Sequence, residues 1–132
     1  LVQRWSDIDR PGIVVAVVRG SLHETVMAER LQHATLRVLD TAQAREQEVL
    51  AGRADLLTAD VPYTRRLLDH SEWARLVVPP APFHVTPYAW AMRPGDDRFH
   101  ERVERALADF KRDGRLAANA RRYGLEQTIV TK

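Results

Sequence analysis

Cysteine is absent from this 132-residue chain. That excludes disulfide scaffolds, thiol nucleophiles and cysteine-based zinc sites, and it leaves the compartment open. No apolar run approaches the roughly 18 residues that a membrane-spanning helix needs. Neither sign of charge dominates: 20 basic and 18 acidic residues give a formal net charge of +2. They are spread along the whole chain, so there is no basic patch to argue for nucleic acid as a partner. The five histidines, His23, His33, His70, His84 and His100, never stand in an HxxxH or HxH pair, so no metal site is expected. No G-x-S-x-G elbow and no G-x-x-x-x-G-K-[ST] loop occurs, which argues against serine hydrolases of that class and P-loop enzymes. No cofactor is implied. The chain begins at Leu1 without a methionine or a signal-peptide pattern; it reads as the interior of a longer protein whose preceding segment has been cut away, so the missing signal leaves export open.

What is present is ordinary globular composition, 45% hydrophobic and 29% charged, at a length that supports one core. Strand and helix patterns alternate. Ile13 to Val18 is a continuous β-branched run, as expected of a strand buried on both faces of a parallel sheet. Ser21 with Glu24 makes a capping box that opens a helix from Leu22 to about Gln32. Thr35 to Leu39 alternates as a second strand, Thr41 caps a helix running to about Ala51, and Gly52 stops it. Ala54 to Thr58 reads as a third strand. Asp60 caps the next helix, with Pro62 in its tolerated first turn. Short strands are predicted at Leu76 to Val78 and Tyr88 to Met92, separated by the semi-rigid connection Pro79 to Phe83. Asp97 to Lys111 carries Phe99, Val103, Leu107 and Phe110 near helical spacing, Gly114 breaks it, and Leu116 to Tyr123 forms a last short helix. This alternation predicts an α/β fold with a mainly parallel, doubly wound sheet.

In such a fold, strand carboxyl ends and helix N-termini converge on one crevice, where ligands bind. Three runs end in that way: Val14 to Ser21, Gly52 to Asp60, and Tyr88 to Asp96. Ser21 and Asp60 are in the first instance helix N-caps. The same positions also offer backbone amides to a carboxylate and a carboxylate to an ammonium group. Phe83, Tyr88 and Trp90 serve equally as pocket lining or as core and hinge packing. The pairs Arg65-Arg66 and Arg121-Arg122 read as solvated helix faces.

In order and spacing these motifs resemble the carboxy-terminal half of a type II extracytoplasmic solute-binding protein of the polar amino-acid transport class, family 3. Asp7-Ile8-Asp9-Arg10-Pro11-Gly12 followed by Val14 to Val17 looks like the approach to that family's second lobe. Arg19-Gly20-Ser21 resembles the G-[ST] turn whose helix meets the ligand's α-carboxylate. Gly52-Arg53-Ala54-Asp55 leading to Asp60 resembles the G-x-x-D-x-x-x-x-D segment, whose final aspartate holds the α-ammonium. Tyr88-Ala89-Trp90-Ala91-Met92 is similar to the strand returning between lobes. Gly95-Asp96-Asp97, Lys111-Arg112-Asp113-Gly114 and Tyr123-Gly124-Leu125 are similar to the closing signatures. The resemblance implies a division into residues 1–93, the second lobe with its return hinge strand, and 94–132, helices that normally pack on the first lobe. It also implies ligand contacts from Gly20, Ser21, Leu22, Asp60 and Tyr88, an amino acid or similar zwitterion or organic acid as ligand, an ABC permease as partner, and a periplasmic or other extracytoplasmic location.

Two departures stand out. The first lobe is missing, with the arginine that clamps the ligand carboxylate and the aromatic that stacks on its side chain. Leu22 occupies a position where many members carry a hydroxyl, leaving only its backbone amide to serve. An enzymatic alternative on the same fold, a cyclohexadienyl (arogenate) dehydratase, needs a carboxylic acid just after Asp60, where this chain has Val61, Pro62 and Tyr63. A ligand-sensing domain of a signalling receptor is the third reading. With the first lobe absent, the C-terminal segment is expected to fold back onto the remaining lobe or to be exchanged in a homodimer.

Overall fold

A computed structural model describes residues 2–81 and 83–130. Pro82, inside the proline-rich connection, lies outside the described residues. The chain divides into two compact units, residues 1–85 and 86–132.

The first unit is built on a parallel three-stranded sheet in the order β2-β1-β3. Strand β1 is Val14–Val18, β2 is Thr35–Leu39 and β3 is Leu56–Leu57. The β-branched run expected of a doubly covered strand is the central one, and Val15, Ala16 and Val17 are completely buried. Strand β3 is shorter than the five residues anticipated, yet the amides of Asp55 and Thr58 donate to the carbonyls of Val14 and Ala16 at 2.9 and 3.2 Å and continue its contact with β1.

Three helices complete this unit: α1 is Leu22–Arg30, α2 is Ala42–Leu50 and α3 is Val61–His70. Each begins at the residue whose side chain can take a free N-terminal amide. Ser21, Thr41 and Asp60 accept from the amides of Glu24, Ala44 and Tyr63. Helix α2 stops where Gly52 adopts φ +68°. There the amides of Gly52 and Arg53 fold back on the carbonyls of Val49 and Glu48, a terminator that a left-handed glycine permits. The path from β1 to β2 runs one way across the sheet, and the path from β2 to β3 runs back past β1. Helices α1 and α2 both pack against β1, and Val15, Ala16 and Val17 are buried there.

The approach to β1 is tied down by two acidic residues from the opening motif. Asp7 accepts from the amides of Gln3 and Arg4 and pairs with Arg10 at 2.6 Å. Asp9 accepts from the amides of Gln32, His33 and Ala34, fixing the turn between α1 and β2. Asp55 receives the Val14 amide at 2.8 Å, so the aspartate following Gly52 braces the start of the central strand.

The second unit holds α4, Asp97–Arg112, and α5, Arg115–Arg122. Asp96 caps α4 through the Phe99 amide at 2.9 Å, and Gly114, at φ +82°, makes the break between the helices.

Two expected strands do not form. Leu76 to Val78 and Tyr88 to Met92 are irregular and join no sheet among the described residues. A strand is stabilised by its ladder and by the area its side chains bury, not by residue type alone. Val78 is 65% exposed and Trp90 66% exposed, so little burial favours pairing. Pro79 and Pro80 also remove ladder donors immediately after the first of these segments.

Candidate functional site

At the carboxyl end of β1 the chain turns through Gly20, which adopts φ +69°, a conformation that favours glycine. Ser21 then opens α1. Its hydroxyl donates to the Val18 carbonyl at 2.6 Å and accepts from the Glu24 amide at 3.3 Å. The Glu24 carboxylate reaches back to the Gly20 amide at 2.6 Å. The chain's own carboxylate therefore already occupies one donor of this turn. That leaves the amides of Leu22 and His23, the remaining donors without an intrahelical acceptor at the start of α1, to meet a ligand. The Leu22 side chain is exposed.

Because β3 pairs with β1, the start of α3 stands at the neighbouring carboxyl end. Asp60 caps α3 through the Tyr63 amide at 2.7 Å. The turn after β1 and the turn after β3 flank the position where the strand order reverses, and His23 couples them. Its ring is half-buried, and burial pushes its pKa below 6.5; the Asp60 carboxylate and the Ala59 carbonyl favour the charged ring, while Arg45 and His84 oppose it. Four of the five residues expected at the ligand, Gly20, Ser21, Leu22 and Asp60, thus lie on two adjacent turns. Tyr88 belongs to the second unit and is 74% exposed.

Residues that sequence reasoning passed over complete the region. Arg45 on α2 is only 4% exposed. Its Nη1 donates to the Thr58 carbonyl at 2.7 Å, and its guanidinium stacks on the Tyr63 ring at 4.7 Å. The Tyr63 hydroxyl bonds to the Glu46 carboxylate, and burial, first among several influences, raises the tyrosine pKa. Arg45 Nε and Thr58 Oγ1 are buried without a hydrogen-bond partner. A signal for Arg45 was present in the sequence. It occupies the inward stripe of α2 with Ala42 and Val49, where an apolar residue is the ordinary choice.

Two surface hollows are of note, about 480 Å³ lined by residues including Met92, Arg93 and Phe99, and about 240 Å³ lined by residues including Trp5, Met27 and Phe83. Neither is lined by Gly20, Ser21, Leu22, Asp60 or Tyr88. Among the described residues, no three His, Cys, Asp or Glu side chains gather closely enough to hold a metal ion. No helix among them is long and apolar enough to cross a membrane. Comparison with models of protein families, with curated proteins and with solved structures gave no match.

Proposed function

We propose that the chain supplies one lobe of a type II solute-binding protein that closes around an amino acid or similar small zwitterion and delivers it to an ABC permease outside the cytoplasm. The observation that carries this reading is the strand order β2-β1-β3. Its reversal sets the start of α1 beside the start of α3, at the kind of switch point where open α/β sheets bind ligands. The two turns differ in character. One presents the Leu22 and His23 amides at the positive end of a helix dipole, and the other presents the Asp60 carboxylate. Those are the complements of a zwitterion's carboxylate and ammonium. The motifs around Gly20-Ser21 and Gly52 to Asp60 support the same assignment by resemblance to the amino-acid-binding family. Doubly wound architecture belongs to this proposal as well.

Thermal shift of the full two-lobed protein against a panel of amino acids and small organic acids tests it. A solute at a hundred times its dissociation constant adds about 2.7 kcal/mol of stability, so a saturable rise in melting temperature is expected for zwitterions. It should be absent for the corresponding amines and for the corresponding N-acylated acids. A panel without any saturable stabilisation up to tens of millimolar would refute the reading.

A further inference from the structure

The hollow of about 240 Å³ in the first unit shares no lining residue with the turns at Gly20-Ser21 and Asp60. Three separate stretches build it: the short 3-10 helix Trp5–Asp7 with the residues after it, the last turn of α1, and Phe83 from the proline-rich connection. Ile8 and Met27 form its floor and are 8% and 4% exposed. Trp5 and Phe83 form its walls, their rings meeting edge to face with centroids 4.8 Å apart and planes at 61°. A helix rises about 1.5 Å per residue, so the nine residues of α1 set the hollow about 13 Å from the turn at Gly20-Ser21. Protein interiors are close-packed, with few voids larger than a water molecule. A cluster that only closed this end of the core would draw its side chains together. Here space is left beside buried apolar atoms, as in a ligand pocket.

The charged groups at the hollow set the sign of what it can hold. Asp9 is already engaged, its carboxylate accepting from the amides of Gln32, His33 and Ala34. Arg30 is the opposite case. Its guanidinium lies over the Phe83 ring at 5.0 Å, and no acidic group among the described residues pairs with it. Stacking uses a face of the guanidinium and leaves its N–H edge free.

We propose that this hollow binds a small organic monocarboxylate carrying a single aromatic ring, with the ring against Trp5 and Phe83 over Ile8 and Met27 and the carboxylate on the N–H edge of Arg30. An apolar cavity of about 150 Å³ takes benzene, so the larger space here suits one ring with a short acid arm. Aromatic walls favour a ring beyond the area it buries, and a guanidinium edge gives a carboxylate two parallel hydrogen bonds. A cationic ligand would meet Arg30 as a like charge, and an uncharged one would leave its edge unused. Because the hollow is remote from the Gly20-Ser21 and Asp60 turns, the site stands or falls apart from the zwitterion reading.

The test uses the 132-residue chain labelled with ¹⁵N, in which Trp5→Phe identifies the Trp5 indole N–H resonance among those of the three tryptophans. That resonance and the Arg30 Nε–H are followed while phenylacetate, phenylacetamide, benzylamine or acetate is added at constant ionic strength and neutral pH. Phenylacetate should shift both saturably. The amide and the amine should bind at least tenfold more weakly, and acetate should leave both resonances in place. Arg30 is exposed, so Arg30→Gln leaves the floor of the hollow intact; it should bring phenylacetate and phenylacetamide within a factor of two of one another. The inference is overturned if phenylacetate gives no saturable shift up to tens of millimolar, if the amide or the amine binds less than tenfold more weakly than the acid, or if the preference for the acid survives Arg30→Gln.

Discussion

Asp60 accepts the Tyr63 amide at 2.7 Å, so truncating it removes a helix cap whatever else it does. Losing a cap costs about 1 kcal/mol, whereas leaving a buried ammonium unpaired costs roughly 3–5 kcal/mol. In the full two-lobed protein, Asp60→Ala should therefore lower solute affinity by at least a hundredfold while lowering stability only modestly. Calorimetric titration beside thermal melts separates the two effects. Affinity within a factor of two of the unaltered chain, with a reduced melting temperature, would assign Asp60 to capping alone. Ser21→Ala should be milder for binding, because the Leu22 and His23 amides survive it. It should still cost about 1 kcal/mol of stability, since the hydroxyl serves both the Glu24 amide and the Val18 carbonyl.

Helix α1 contributes little burial beyond Val26 and Met27, and Met27 is 4% exposed. With so few inward side chains, the seating of α1 on the sheet depends on each of them. Met27→Ala should destabilise the first unit by about 2–5 kcal/mol, the range for emptying a buried methionine position. Because the start of α1 carries the Leu22 and His23 amides, the same variant should also weaken solute binding although Met27 is remote from the solute's contacts. Chemical denaturation together with titration checks this. A loss of stability without loss of affinity, measured where the variant remains folded, would show that α1 need not be firmly packed for its N-terminus to bind.

At the scale of the whole molecule, acid should unfold the protein in two stages. His23 has a folded pKa depressed below 6.5, chiefly by burial. Its contribution is full above 6.5 and is lost as pH falls from there through the folded value, because the unfolded chain takes up the proton first. The second stage begins near pH 4 and continues below it. The Arg4 amide leads the depression of the Asp7 pKa, the Ala34 amide leads that of Asp9, and the Arg53 hydrogen bond leads that of Glu48. Stability held by these groups above their unfolded values disappears as pH drops through the folded ones. Urea midpoints across pH 3–8 should show both limbs, and His23→Gln should flatten only the upper one. An unchanged upper limb in that variant would assign it to another group. Self-association is the other expectation at this scale. Trp90, Phe99, Tyr123 and Val130 are exposed in the second unit, and apolar surface of that kind favours a partner. Sedimentation should show a concentration-dependent dimer; a monomer at every concentration would refute the proposed exchange of C-terminal segments.

By itself the sequence determined the elements whose signals are local. Ser21, Thr41 and Asp60 cap helices because a short side chain placed before a helical run can take an amide of the first turn. Gly52 and Gly114 stop or separate helices because they adopt positive φ cheaply. Val14 to Val18 became the doubly buried central strand because only a strand covered on both faces favours such an unbroken apolar run. That the strands at Val14 and Leu56 run parallel in one sheet was legible for a related reason, since strands alternating with helices imply a parallel sheet. Tertiary structure alone decided the rest. Leu76 to Val78 and Tyr88 to Met92 have strand-like composition, but a ladder needs a neighbouring edge and buried area, and neither can be read from the segment itself. That Glu24 engages the Gly20 amide depends on the angle at which α1 leaves its turn. That Arg45 is sealed beneath Tyr63 beside an unpartnered Thr58 hydroxyl depends on α2 and α3 meeting over the end of β3. Such long-range contacts are set by packing, which leaves only a faint local mark: one charged residue on an otherwise inward-facing stripe.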